Sequence, residues 1–345
     1  MPANTTSAAT LPATMRALLV PAAGSAFEEV QLPTPTPAAG QVLVKIAASG
    51  VNPLDTKIRA GKAAHAHQPL PAVLGMDLAG TVVAVGEGVT DFKPGDEVYG
   101  MAGGIGGLQG TLAEYIAADA RLLAPKPRNL SMREAAALPL AAITAWEGLV
   151  DRAHVKAGDT VLVHGGAGGV GHIAVQLACA FGAQVFTTVS AEQFATVQAY
   201  GATPIDYRAS TVEQYVAEHT EGGKGFDIVY DTVGGATLDA SFTAARKYGG
   251  HVLSILGWGT HSLAPLSFRA ATYSGVFTLM PMLTGEGWEA HGRILREVGR
   301  LVEAGKIAPM VEGRQFALDT GSVLDAYQVI ELGQARGKLV VSFSI

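Results

Sequence analysis

The stretch VLVHGGAGGVGHIAVQLACAFGA, residues 161–183, constrains the fold more than any other part of this 345-residue chain. A short apolar-leaning run enters seven positions that hold five glycines, and an apolar pattern of helical length follows. Gly166, Gly168 and Gly171 match G-x-G-x-x-G, which is weak alone but specific between a strand and a helix. In that setting Gly166 serves the tight turn, Gly168 lets backbone approach a pyrophosphate, and Gly171 lets the helix pack close to the strand. Gly169 and Val170 complete the turn, and the helix N-terminus offers free N–H groups to phosphate. A glycine-rich loop without a ligand is the competing reading, and the pattern on either side argues against it.

That pattern is an alternation. After SMREAAALPLAAITAWEGLV, read as helices with a Ser131/Glu134 capping box, come TVLVHG, GHIAVQLACAFG, QVFTTVS, EQFATVQAYG, TPIDY, TVEQYVAEHT, FDIVYDTVG, TLDASFTAARKYG and GHVLSILG. Strands and helices in turn imply an α/β fold, a doubly wound parallel sheet with helices on both faces. GWEAHGRILREVGRLVEAG predicts a long helix, and the terminal GKLVVSFSI a strand returning to the first part. That first part, from Met15, holds short β-branched runs between Gly and Pro turns and reads as a mainly β domain. Residues 1–14, rich in Ala, Thr and Pro, read as a mobile tail.

The chain is 48% hydrophobic and 16% charged, which supplies buried cores and argues against disorder. Its net charge is −6 and no basic block occurs, so no nucleic-acid partner is expected. The only cysteine, Cys179, allows neither an intramolecular disulfide nor a multi-cysteine metal site. The N-terminus lacks a secretory pattern, and the apolar stretch at 135–146 is about 12 residues where a span needs roughly 20. The expectation is a cytoplasmic protein without membrane contact.

An NAD-binding fold of this type ends its second strand in Asp or Glu to grip the ribose 2′-hydroxyl. QVFTTVSAEQF offers Ser190 there. Without the acid a 2′-phosphate is not repelled, so the reading leans to NADP(H).

The motifs SGVNPLDTKIRAG, VLGMDLAGTVVAVGEGVTDFKPGDEVYG, GTLAEY, AAALPLAAITAW, HGGAGGVG, YDTVGG and SILG, in this order, resemble the medium-chain dehydrogenase/reductase superfamily, specifically its zinc-free quinone oxidoreductase (zeta-crystallin-like) branch. The resemblance runs from about Met15 to the C-terminus. It implies a GroES-like domain from residues 15–141 and 279–345 around a Rossmann domain at 142–278, with the active site between them. It implies a zinc-independent hydride transfer from NADPH to a quinone or α,β-unsaturated carbonyl. An enoyl-thioester or haloacrylate reductase is the alternative enzyme, and a nucleotide-binding structural or regulatory protein without turnover the alternative of another class.

Zinc-dependent members carry cysteine where this chain has Asn52, and His-Glu where it has Met76 and Asp77. A thioether suits zinc poorly. His65 and His67, in an HAH loop, read as solvated side chains rather than ligands. By the same resemblance Asn52 donates to the substrate carbonyl. Asp55 either joins it or is an N-cap for the segment beginning TKIRAG, and Lys57 is a substrate cation or merely solvated. Thr144 matches a threonine at the nicotinamide carboxamide, or bonds back to its own helix. Tyr207 matches a tyrosine at the adenosine phosphate. Phe194 stands where relatives often have lysine, so Arg208 or Arg336 would have to supply the cation. Val233 in YDTVGG belongs to the cofactor site. Gly257 and Trp258 border the nicotinamide, Trp258 shaping the substrate pocket or packing between domains. The apolar segment 273–282 would close the sheet and pair across a twofold axis, giving a homodimer.

Overall fold

A computed structural model describes residues 11–343. Most of the expected N-terminal tail, residues 1–10, lies outside the described residues, and the first strand, Thr14–Val20, begins one residue before the predicted start of order.

The alternating half forms a six-stranded sheet, all parallel, in the spatial order Thr203–Asp206, Gln184–Val189, Thr160–His164, Ile228–Asp231, His251–Ser254, Thr272–Gly275. The period of two along each strand divides its apolar residues between two layers. Val161 and Val163 join the large core that continues into the rest of the molecule, whereas Leu162, Val229 and Val252 join a second cluster with Phe186, Phe226 and Phe242. Helices therefore cover both faces. The order reverses beside Thr160–His164, which opens a crevice at the carboxyl ends of the strands, where open α/β sheets bind ligands.

The first part of the chain and its end build a second sheet. Phe316–Ala317, Leu339–Ser342, Gln41–Val51, Asp77–Val85, Glu97–Met101 and Leu123–Pro125 lie side by side, and Tyr115–Asp119 also pairs with Gln41–Val51. The terminal strand thus returns as expected: Leu339 lies opposite Val51 in antiparallel register. Asp77 lies opposite Gly50 on the other side. These two registers assemble the site described below.

The helix Pro139–Trp146 runs through residue 141, the expected domain boundary, and Trp288–Glu303 packs on it with Ile294, Leu295, Val298 and Val302 inward at helical spacing. Two elements differ from expectation. Of 273–282 only the first residues continue the strand Thr272–Gly275; Met280–Thr284 is helical, with Pro281 in its first turn, where a missing N–H is harmless. Thr320–Glu331 is an unanticipated helix, capped by Asp319, whose carboxylate accepts from Ser322 N–H at 2.8 Å. No helix among the described residues is long and apolar enough to cross a membrane.

Candidate active site

Asn52 ends the strand Gln41–Val51 and caps the helix Pro53–Arg59. Asp55 is therefore not an N-cap: it sits at the third helical position, and its Oδ2 accepts from the Asn52 N–H at 2.7 Å. With its backbone so occupied, Asn52 turns its side chain toward the two neighbouring strands. Its Nδ2 donates to Asp77 Oδ2 at 2.9 Å, and its Oδ1 accepts from the Lys338 ammonium. Asp77 Oδ1 accepts from Leu140 N–H at 3.0 Å, tying the cluster to the helix Pro139–Trp146. A carboxylate accepts only and an ammonium donates only, so the amide has one orientation.

All four side chains are buried. Burial pushes the Asp55 carboxyl up to about 7 against the Asn52 N–H bond that favours its charge, and its Oδ1 has no partner. Burial likewise raises Asp77, opposed by Lys338, and lowers Lys338, opposed by Asp77 and Asp55.

Asn52 and Lys338 of this cluster line, together with the glycine turn, a cleft of about 310 Å³. Asn52, Lys57, Thr144, Gly168, Gly169, Val170, Trp258 and Lys338 all line it. The turn works somewhat differently from the sequence reading. The left-handed residue is Gly165, at φ 74°, rather than Gly166. Gly166 is required by the next strand, because a Cβ there would lie 2.0 Å from Thr187 Oγ1. A Cβ on Gly171 would lie 2.1 Å from the Gly165 carbonyl oxygen, the close helix approach that was expected. Gly168 and Gly169 stay exposed at the mouth. His172 holds them from behind: Nδ1 donates to Gly168 O at 2.9 Å, while Nε2 accepts from Met310 N–H at 3.1 Å. The turn fits a pyrophosphate, with room above Gly168 and a helix N-terminus beneath.

Thr144 bonds back to its own helix, its hydroxyl donating to Leu140 O at 2.6 Å; it also accepts from Thr278 Oγ1 at 3.1 Å and lines the cleft. Lys57 is exposed at the rim. Trp258 forms an aromatic wall with His65, centroids 5.2 Å apart, and Phe277 at 6.4 Å. His65 is thus part of the cleft rather than a merely solvated loop histidine. Gly257 packs instead on the Tyr273 hydroxyl, which a Cβ would meet at 2.3 Å.

A second cavity, about 680 Å³, adjoins the first at Gly168 and Thr232 and receives Tyr207 and Val233. Ser190 follows its lining residue Val189 and contacts Gln193 Oε1 at 3.3 Å. Arg208 stacks on Tyr207, 5.5 Å from the ring centroid, but stands 3.7 Å from Glu192. Arg336 follows the lining residue Ala335, and its N–H donates to Glu312 at 2.9 Å.

Sequence reasoning passed over Lys338, Thr278, Phe277 and His172. The one signal for Lys338 was a lysine opening the apolar strand in GKLVVSFSI, where a buried charge needs a partner.

Comparisons with known proteins agree with this fold. Residues 38–128 match the Alcohol dehydrogenase GroES-like domain family, and residues 200–341 the Zinc-binding dehydrogenase family. An NADPH-dependent alkenal/one oxidoreductase of Arabidopsis thaliana is 37% identical over 87% of this chain and 72% of its own. A quinone oxidoreductase of Pongo abelii is 31% identical over 89% and 90%. The crystal structure of an alcohol dehydrogenase superfamily protein from Novosphingobium aromaticivorans superposes with a TM-score of 0.93 at 56% identity, covering 96% of this chain and all of that one.

The second family description invokes zinc, and the donor set does not fit it. Asn52 offers an amide already bonded at both ends, Met76 a thioether, and Asp77 a carboxylate engaged by Asn52 and Leu140 beside an ammonium. Among the described residues no three His, Cys, Asp or Glu side chains gather as a metal site.

Proposed function

The chain belongs to the medium-chain dehydrogenase/reductase superfamily, in its branch of quinone oxidoreductases and alkenal reductases, and from that premise we propose that it reduces a quinone or α,β-unsaturated carbonyl with NADPH and without a metal. One observation carries the reading: a glycine turn that fits a pyrophosphate and a buried amide cluster line one mostly apolar cleft. A reduced nicotinamide, held by Gly168, Gly169 and Val170, would supply hydride to an electron-poor carbon of the acceptor, whose oxygen would take up the displaced π electrons and gain its proton from solvent once the product leaves the cleft.

The chain's own residues do the rest. Gly168, Gly169 and Val170 hold phosphate, and Thr144 is placed for the carboxamide. Leu140, Ile255, Leu256 and Val276 exclude water from the cleft, which strengthens every charge interaction within it. Asn52 keeps a second Nδ2–H beyond the one given to Asp77, a donor for the oxygen that gains charge. Conjugated acceptors delocalise that charge, so no Lewis acid is required, in keeping with a donor set that suits none. At the far cavity, Tyr207 and the absence of a strand-end acid support NADPH over NADH.

The test follows NADPH absorbance with 1,4-benzoquinone, 9,10-phenanthrenequinone, an alkenal and an enoyl-CoA. Turnover of the quinones or the alkenal is expected, and Asn52→Ala should lower kcat/KM about tenfold, or ~1.4 kcal/mol. NADPH binding without turnover of any acceptor would replace the proposal with a non-enzymatic one.

A further inference from the structure

The cleft contains a buried ammonium that the reductase reading leaves without a task. Lys338 is 6% exposed, and its Nζ reaches Asn52 Oδ1 and, at 3.3 Å, Val51 O. Asp77 Oδ2 is farther, at 3.8 Å. The lysine's close partner is thus an amide oxygen and not the carboxylate, although burying a lysine is offset most simply by direct ion pairing. Its stem passes the phosphate turn, where a Cβ on Gly169 would meet Cδ at 3.6 Å. The ammonium therefore lies in the cleft wall, between the turn and Asn52.

The arrangement polarises the amide. Its oxygen faces a cation and one N–H faces an anion, so electron density is drawn from nitrogen and the remaining N–H becomes a stronger donor. A rotated amide would set N–H against ammonium and oxygen against carboxylate. The positions matching a zinc site in relatives, Asn52 and Asp77, here surround a lysine.

We propose that Lys338 is a positioning residue for the reduction: it holds and polarises Asn52, and through the amide's remaining N–H its charge favours the negative charge that grows on the substrate oxygen. This rests on the reductase reading, and the test separates the two. 4-Nitrophenol, which is coloured only when ionised, is the probe, titrated against pH on the protein with NADP present. Asp55, Asp77 and His172 are the titratable groups facing the ammonium. All three remain in Lys338→Met and Lys338→Arg, so a difference between those proteins reads the cation.

In the wild type the bound phenol should ionise at lower pH than in solution. Lys338→Met should abolish that shift and Lys338→Arg keep part of it. With an enone, Lys338→Met should lower kcat about tenfold while leaving the KM for NADPH unchanged, and adding it to Asn52→Ala should cost little more, because the two act as a unit. If Lys338→Met fails to fold with Asp77 unpaired, Lys338→Met/Asp77→Asn carries the same comparison. An unchanged shift in the folded variant, or losses that simply add, would overturn the proposal. A wild type that shifts the phenol yet reduces nothing would instead remove the reductase reading and leave the cation's role standing.

Discussion

Replacing Gly171 by alanine tests the phosphate turn directly, and Gly169→Ala is its internal control. The added Cβ at position 171 lies 2.1 Å from the Gly165 carbonyl oxygen and 2.8 Å from its carbon. An ordinary contact is about 3.5 Å, so roughly 1.4 Å of relief is needed. The obstacle is backbone, with no rotamer to yield. The same carbonyl accepts the Gly168 N–H at 2.8 Å, so relief pushes the turn out of register with the helix. Overpacking of this kind costs about 1–3 kcal/mol, and the broken turn bond adds about 1 kcal/mol. Stability should fall by ~2–4 kcal/mol, with NADPH affinity reduced at least tenfold in protein that remains folded. At Gly169 the nearest obstacle is the flexible Lys338 Cδ, at 3.6 Å. Gly169→Ala should therefore unfold within about 1 kcal/mol of wild type, since Gly→Ala at a compatible site also restricts the unfolded chain. Urea unfolding gives the first quantity, and titration of NADPH fluorescence the second. Equal losses of stability at the two positions, or a harmless Gly171→Ala, would show that the helix does not need its close approach.

Four further outcomes are expected. Wild type should prefer NADPH by tenfold to a hundredfold in kcat/KM, about 1.4–2.7 kcal/mol, and Ser190→Asp should invert the preference; an NADH-preferring wild type indifferent to Ser190→Asp would show that the adenosine end is misplaced. Asp55 titrates at about 7 in the fold and near 3.8 when unfolded, so the native state holds its proton longer and stability declines as pH rises through that window. Relative to wild type, Asp55→Asn should gain up to about 4 kcal/mol between pH 4 and 7 and nothing beyond, and melting curves that keep a constant separation would contradict this. Protein dialysed against a chelator should keep full activity, whereas zinc bound one to one and tracked by activity would sink the metal-free proposal. The strand Thr272–Gly275 is an edge of the parallel sheet and Phe268, four residues before it, is 88% exposed, and from these a twofold homodimer is expected. Light scattering at micromolar concentration should give twice the chain mass, and a monomer would refute it.

The two halves of the site came from the sequence by different routes. The glycine turn is local: its constraints act between residues a few positions apart and appear as spacing. Even so, spacing alone gave the tight turn to Gly166, whereas Gly165 takes the left-handed conformation and Gly166 answers to Thr187 on the neighbouring strand. Asn52 and Asp55 were legible from a motif, but the motif could not say that Asp55 caps Asn52's own N–H.

Lys338 shows where the sequence stops. It lies 286 residues from Asn52, and no periodicity connects a C-terminal strand with a loop near residue 52. The chain determined by itself the alternation of strands and helices, the phosphate turn and the missing strand-end acid, because each follows from backbone geometry or side-chain chemistry at short range. Only the tertiary structure decided which buried charges meet. Antiparallel register of Leu339–Ser342 and Asp77–Val85 on either side of Gln41–Val51 brings an ammonium and a carboxylate to one amide. A shift of one residue would turn each side chain to the opposite face of the sheet, and that register is set by packing across the whole domain.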